Sequence, residues 1–382
     1  MAPASQTRIL IVDDSAVMRS LLRTVVGSGE GLEVAGTAAD GEAALSMIER
    51  LRPDLILLDV EMPVMDGLVT LRKLRARGHK MPVIMCSSLT QRGARATIES
   101  LACGASDYVA KPAGQSGREA ATRTLSQDLI PKIQALTAPF QPPLAQPPQA
   151  QPPLPPAIRP QLLPAAAPSR IQSSLVPPTV VAIGVSTGGP AALDLLLPAL
   201  PADLPVPVLI VQHMPEVFTR LFAERLNGRC RMPVSEAAEG QPVRAGQIYI
   251  ARGNWHLEVL AAARIGTPPT LHLTQAPLEN HCRPAVDVLF RSVAAVYKSG
   301  TLAVVLTGMG SDGMLGARLI RDHGGTILAQ DQATSTVWGM PGAIANAGLA
   351  YKLLPLSAIA PEIVRLASRA HSELREPRET VA

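Results

Sequence analysis

The stretch Val180–Pro190, VVAIGVSTGGP, decides how this chain is read. A short apolar run, Val180–Val185, ends at Ser186, and the glycine-rich turn Gly188-Gly189-Pro190 follows. Apolar runs of this length bounded by turn residues form strands buried on both faces, as in parallel sheets. Gly184, Ser186 and Gly188 fit the G-x-S-x-G frame, whose glycines permit a sharp strand-to-helix turn. Such a turn holds the serine hydroxyl clear of the backbone at a helix N-terminus. Alone, the frame allows three readings: a nucleophile, a phosphate cradle, or only a tight connection. The rest of the chain has to choose among them.

Working outward, short apolar runs alternate with amphipathic stretches at both ends of the chain, which is the pattern of parallel α/β sheets. The clearest later strands are TVVAIGVS, VPVLIVQHM, LAVVLTGMG and GTILAQD, and QIYIARG with WHLEVLAAA reads as a hairpin inserted among them. The earlier ones are RILIVDD, LEVAGTA, DLILLDV, PVIMCSS and DYVAK, followed by a helix over 117–136 in which Leu125, Leu129, Ile133 and Leu136 keep helical spacing. Between the two halves, residues 139–178 hold 14 of the 36 prolines. Proline removes the backbone donor that helices and ladders need, so this segment reads as an extended linker. At ~3.1 Å per residue its ~40 residues reach ~120 Å.

Bulk numbers agree with two domains. A chain of 382 residues exceeds one ordinary core, and 47% apolar content is enough to fill two. A net charge of +4 and 3% aromatic residues exclude a nucleic-acid binder, which needs a basic stripe and stacking rings. The four cysteines form no C-x-x-C pair, so neither a disulfide nor a zinc framework is expected and reduced thiols of the cytoplasm fit. The opening MAPASQTR lacks the apolar core of a signal peptide. Residues 179–212 are apolar but broken by Gly188-Gly189, prolines, Asp194 and Asp203, so a buried βαβ unit rather than a membrane span is expected. The expectation is a cytoplasmic protein without membrane insertion.

Function in open parallel sheets sits at the carboxyl ends of the strands. In the first half those ends carry Asp13-Asp14, Asp59, Ser87-Ser88 and Lys111. Three carboxylates on one edge repel unless a cation neutralises them, and hard oxygen donors in an incomplete shell suit Mg²⁺. One carboxylate could then take a phosphoryl group while a lysine and a hydroxyl stabilise the developing charge. The motifs LIVDDS, LLDVEMPVMDG, CSS and DYVAKP, with their spacing, resemble the response-regulator receiver domain over residues 7–137. The resemblance implies a flavodoxin-like parallel five-stranded sheet with Asp59 as phosphoacceptor. It also implies Mg²⁺ held by Asp14, Asp59 and the Glu61 carbonyl with Asp13 in support. Ser87 and Tyr108 would be the switch residues, and Lys111 the accompanying lysine.

If Ser186 is a nucleophile, it needs a base and the base an orienting carboxylate. His213 follows the strand VPVLIVQ and Asp312 follows LAVVLTGMGS, so all three groups terminate buried strands at one end of the sheet. His256 and His272 lie in the expected hairpin and read as surface or packing residues. His281 adjoins Cys282, but neighbours on a strand or helix point apart, which disfavours a pair. The order Ser, His, Asp differs from that of α/β-hydrolases, and GVSTGG lacks the dinucleotide-binding glycine order.

The motifs AIGVSTGGP, VQHMPEVFTRLFAERLN, YIARGNWHL, RPAVDVLF, VLTGMGSDG and TSTVWGMPGA resemble the catalytic domain of chemotaxis protein-glutamate methylesterases. Receiver, linker (138–177) and catalytic domain (178–371) follow in that family's order. The resemblance implies a doubly wound α/β catalytic domain with Ser186 as nucleophile, His213 as general base and acid, and Asp312 as orienting carboxylate. Thr187 and Met309 would lie near the oxyanion, and no metal would serve the esterase step. It further implies demethylation of glutamate methyl esters, and deamidation of glutamines, on cytoplasmic helices of chemoreceptors. A chemotaxis histidine kinase would be the phosphodonor, and the protein would be peripheral to receptor arrays. Two alternatives stand beside this: a non-catalytic, phosphorylation-gated binding module, and the same chemistry in a pathway other than motility.

Overall fold

Strands whose residues are buried on both faces organise each half of the chain. The computed structural model describes residues 6–112, 117–138 and 176–373. In the first half, β1 (Thr7–Val12), β2 (Leu32–Ala38), β3 (Leu55–Asp59), β4 (Val83–Ser87) and β5 (Asp107–Ala110) alternate with five helices. These are α1 (Ala16–Ser28), α2 (Gly41–Leu51), α3 (Gly67–Ala76), α4 (Gln91–Ala102) and α5 (Arg118–Thr137). Side chains cap the helix starts: Ser15, Asp40, Asp66 and Thr90 each accept a backbone N–H in the first turn of α1 to α4. The strands are parallel in the order β2-β1-β3-β4-β5, the expected flavodoxin-like sheet. Strand order reverses beside β1 and β3, so Asp13 and Asp59 meet at the crevice where such sheets bind ligands. Leu125, Leu129 and Ile133 of α5 are buried against this sheet, as their spacing predicts.

The second half contains β6 (Val180–Val185), α6 (Gly189–Leu196), β7 (Val208–Gln212), α7 (Glu216–Asn227), β8 (Val234–Glu236) and β9 (Ile248–Ile250). It continues through β10 (His256–Leu260), β11 (Thr270–Thr274), α8 (Val286–Tyr297), β12 (Thr301–Val305) and α9 (Met314–Asp322). It ends with β13 (Thr326–Gln330), α10 (Met340–Asn346), β14 (Lys352–Leu354) and α11 (Leu356–Glu373). The main sheet runs β14-β13-β12-β6-β7-β9-β8, parallel throughout. Ala182, Leu209, Val211, Ala303 and Ala329 share a core with Leu289, Phe290 and Val293 of α8. The alternate residues Val181, Ile183, Ile210, Val304 and Leu328 are equally buried, so both faces are covered and the domain is doubly wound.

The expected hairpin is corrected in one respect. Ile248, Tyr249 and Ile250 are fully buried and pair with β7 inside the main sheet, not with WHLEVLAAA. The hairpin partner of His256–Leu260 is Thr270–Thr274, in antiparallel register. The reason is burial: a strand with both faces apolar belongs inside a sheet, whereas a two-stranded ribbon leaves one face wet. Nearly all of the expected linker, residues 139–175, lies outside the described residues. The described residues up to 137 and those from 176 onward form one compact unit, in which α4 packs on α6 and α7. Among the described residues no helix is long and apolar enough to cross a membrane.

Candidate functional site

β6 and β12 are neighbours from which the chain departs in opposite directions, so their carboxyl ends open the second crevice. Ser186 leaves β6 there, half-buried. Its backbone N–H donates to Thr307 O at 3.0 Å, and its carbonyl accepts from Gly189 N–H at 2.8 Å. The two glycines behind it are required by space. Gly188 has φ +77°, and an added Cβ would stand 2.5 Å from Thr336; one on Gly189 would meet Gln212 Oε1 at 2.1 Å. Gln212, at the end of β7, donates from Nε2 to Ser186 O at 3.1 Å and to His213 O at 3.2 Å. One amide thus ties the serine turn to the histidine turn.

His213 Nε2 lies 2.8 Å from Asp312 Oδ2. Asp312 is buried and surrounded by donors. Oδ2 accepts the Val286 N–H at 2.6 Å. Oδ1 accepts the Asp287 N–H at 3.0 Å, Asn280 Nδ2 at 2.8 Å and the Gly313 N–H at 2.9 Å. Two of these donors open α8, where the helix dipole favours negative charge. Burial works against the Asp312 charge, but the His213 bond and the backbone donors outweigh it and hold the carboxyl below its usual range. For His213 burial also opposes the charge. The Asp312 bond and the Cys282 sulfur prevail and raise it to about 9.

Residues outside the expected Ser–His–Asp set complete this edge. Cys282 Sγ stands 3.5 Å from His213 Nδ1, so the cysteine set beside His281 in sequence pairs with a different histidine. His281 is exposed. Glu279 and Cys282 exchange both backbone hydrogen bonds, at 3.1 and 2.8 Å, around Asn280 and His281, whose φ values are +51° and +62°. This is a primed two-residue turn, and asparagine followed by histidine are among the non-glycine residues that tolerate it. The positively turned Asn-His pair before RPAVD was the available signal. Asn280 Nδ2 also donates to Asp287 Oδ2 at 3.0 Å. His256 is buried as packing: Nδ1 accepts the Ala285 N–H at 3.2 Å and Nε2 faces Pro277 O at 3.0 Å. His272 is half-buried beside Glu239, 3.0 Å away.

The Met309 amide donates to no protein acceptor among the described residues. Thr187 is buried, and its hydroxyl is engaged across the chain, donating to Asp107 Oδ2 of β5 at 2.7 Å. Next to it the Tyr108 ring stacks on Phe218 of α7, with centroids 4.6 Å apart and planes inclined by 23°. Lys132 donates to Tyr108 O at 2.7 Å and lies 4.0 Å from Asp107. Burial raises Asp107, against the pull of Lys132 and Thr187. The first half of the chain therefore touches the residue next to Ser186.

In the first crevice, ligand oxygens of Asp13, Asp14 and Asp59 lie within 4.8 Å of one another. Lys111 Nζ stands 2.7 Å from Asp59 Oδ1 and 2.8 Å from Asp13 Oδ2. Burial pushes Asp59 up to about 6 despite Lys111. Burial opposes the Lys111 charge, but the two carboxylates raise its value overall. Three clustered carboxylates, two of them buried, fit a hard divalent cation that relieves their repulsion. The Glu61 N–H donates to Asp59 Oδ1 at 3.4 Å, and the buried Ser87 hydroxyl donates to Ser88 O at 3.1 Å.

Comparisons with known proteins cover both crevices. The family model for CheB methylesterase matches residues 181–363, and that for the response regulator receiver domain matches residues 9–122. A protein-glutamate methylesterase/protein-glutamine glutaminase of Trichodesmium erythraeum (strain IMS101) is 46% identical over 358 residues, spanning 94% of this chain and 98% of the relative. One from Nocardioides sp. (strain ATCC BAA-499 / JS614) is 48% identical over 372 residues, spanning 96% and 97%. The crystal structure of the Thermotoga maritima CheB methylesterase catalytic domain is 41% identical. It covers 50% of this chain and 100% of that one, with a TM-score of 0.48.

Proposed function

Because the chain belongs to the protein-glutamate methylesterase/protein-glutamine glutaminase family, we propose that Ser186, His213 and Asp312 carry out the hydrolysis that defines it. The chain is a hydrolase of glutamate methyl esters and glutamine side-chain amides, and its receiver domain makes it phosphorylation-regulated. Our division is receiver 7–137, linker 138–177 and catalytic domain 178–371.

Ser186 Oγ attacks the ester carbonyl while His213 Nδ1 takes its proton; Nε2 stays on Asp312, which remains ionised. The Met309 N–H, and the Thr187 hydroxyl once Asp107 gives it up, serve the oxyanion. Methanol, or ammonia from an amide, leaves with the proton from His213. Water then attacks the acyl-enzyme with His213 as base, releasing glutamate and Ser186. The reading rests chiefly on the 2.8 Å His213–Asp312 bond, anchored by the first turn of α8, on the sheet edge that Ser186 shares. Full-length Ser186→Ala should lose methanol release by at least ~10³-fold with its unfolding midpoint unchanged. A near-parental rate from that folded variant removes Ser186 from the mechanism.

In the receiver, Asp59 accepts the phosphoryl group from a chemotaxis histidine kinase. Asp14, Asp59 and the Glu61 carbonyl, with Asp13 in support, would hold Mg²⁺, which neutralises charge on the phosphoryl oxygens. Lys111, Ser87 and Tyr108 transmit the change. The substrate is the cytoplasmic helices of chemoreceptors, which makes the protein cytoplasmic and peripheral to receptor arrays. Each product carboxylate adds one negative charge that repels its neighbours between packed helices.

Regulation follows from the contact at Thr187. Asp107 occupies the hydroxyl beside Ser186, and the Tyr108–Phe218 stack holds that side of the receiver down. Phosphorylation that moves Tyr108 would release both. A small-molecule phosphodonor should accelerate the full-length enzyme, and Asp59→Asn should abolish that response. Equal rates with and without the donor rule the gate out.

A further inference from the structure

An imidazole has two nitrogens, and a hydrolytic histidine needs one for its carboxylate and the other for the nucleophile. In His213 the first is on Asp312, and the second, Nδ1, faces Cys282 Sγ at 3.5 Å. The Ser186 hydroxyl has no hydrogen-bond partner among the described residues. The sulfur's position is built in. The turn that presents Cys282 also presents Asn280, whose amide holds Asp312 at 2.8 Å. The same turn is pinned from outside by Arg291, which donates from Nη2 to Glu279 Oε2 at 2.6 Å. One tight turn therefore fixes both the carboxylate behind the base and the atom in front of it.

We propose that Cys282 is a positioning residue for His213: it occupies Nδ1 between turnovers and yields it to Ser186 when substrate binds. This rests on the assignment of Ser186, His213 and Asp312 as the reacting unit. In the resting arrangement the thiol, a weak donor, stands against Nδ1. A nitrogen engaged in this way cannot accept the Ser186 proton until the sulfur gives it up. Removing the sulfur leaves a base whose protonation is governed by Asp312 and by solvent.

The other charged groups on the segments that build the site have partners of their own. Asp287 accepts from Gly316 N–H and Asn280, and Glu279 pairs with Arg291. Glu216 at the start of α7 pairs with Arg252, and Asp107 faces Thr187 and Lys132. Asp312 and Cys282 are the two that bond the ring. The rise of His213 to about 9, with the sulfur among its causes, agrees with this arrangement.

The test measures kcat and KM for methanol release against pH in the full-length parent, Cys282→Ala and Cys282→Ser, with Ser186→Ala as control. Both cysteine variants should move the acid limb of the kcat profile down by at least about one pH unit, with KM changed by less than about threefold. As an arm independent of turnover, the ¹⁵N signals of the His213 ring in the resting enzyme should shift in both cysteine variants and stay in place in Ser186→Ala, because the sulfur and not the serine faces Nδ1. An unmoved acid limb in both variants, together with ring signals indifferent to Cys282, overturns the proposal and leaves the triad standing if Ser186→Ala is inactive. Complete loss of hydrolysis in both folded cysteine variants also overturns it, since the sulfur would then be a reacting atom. Activity in Ser186→Ala strikes the underlying assignment instead.

Discussion

Asp312→Asn probes the site more sharply than its small change in shape suggests. A carboxylate only accepts, and every neighbour of Asp312 is placed to donate: Val286 N–H and His213 at Oδ2, and Asp287 N–H, Gly313 N–H and Asn280 at Oδ1. An amide must point its NH₂ at one of these sets. Facing three donors costs more than facing two, so the NH₂ takes the Oδ2 position. The buried Val286 N–H then loses its acceptor, at about 1–3 kcal/mol, and the remaining bonds lose the charge that strengthens them. The sum is about 2–4 kcal/mol, a fall in Tm of about 5–10 °C for a domain of this size. His213 must now accept at Nε2, which moves its proton to Nδ1, the nitrogen meant for Ser186. A base held in the wrong tautomer lowers kcat on the order of 10⁴-fold. The assays are methanol release at saturating substrate and calorimetric unfolding of the same preparation. If the folded variant keeps kcat within about threefold of the parent, Asp312 does not orient the base and the reasoning fails.

Other outcomes follow from the same geometry. Tyr108→Leu removes a stack of about 1 kcal/mol and should raise the unphosphorylated rate about fivefold, an increase that phosphodonor then makes smaller. The His213–Asp312 pair should stabilise the fold within a defined pH window. Asp312, held below its ordinary 3.8, contributes above that value and loses the contribution as pH falls through its lowered one. His213, raised from 6.5 to about 9, contributes fully below 6.5 and loses it through about 9, so the urea midpoints of the parent and His213→Ala should converge above that pH. Gly188→Ala forces a side chain into φ +77° against Thr336 and should destabilise by about 1–3 kcal/mol, read as a lowered unfolding midpoint.

The sequence by itself determined which segments are buried strands and where their polar ends lie. Apolar runs of five or six residues, broken by glycine, proline or aspartate, are local signals, because burial on both faces leaves its mark on every residue of the run. For that reason β1 to β7, β12 and β13 were legible, with Asp13, Asp59, Ser186 and His213 at their ends and Asp312 a few residues beyond one. Tertiary structure alone decided what those ends meet. Ile248–Ile250 was legible as a strand, but its membership of the main sheet depends on the partner offered by β7. The bonds joining His213 to Asp312, Cys282 to His213 and Thr187 to Asp107 span 99, 69 and 80 residues. No periodicity records such pairings, since each side chain's local pattern is satisfied equally by solvent or by a distant partner. Packing against α8 and α4 selects the partner, and with it the state in which His213 and Thr187 are held.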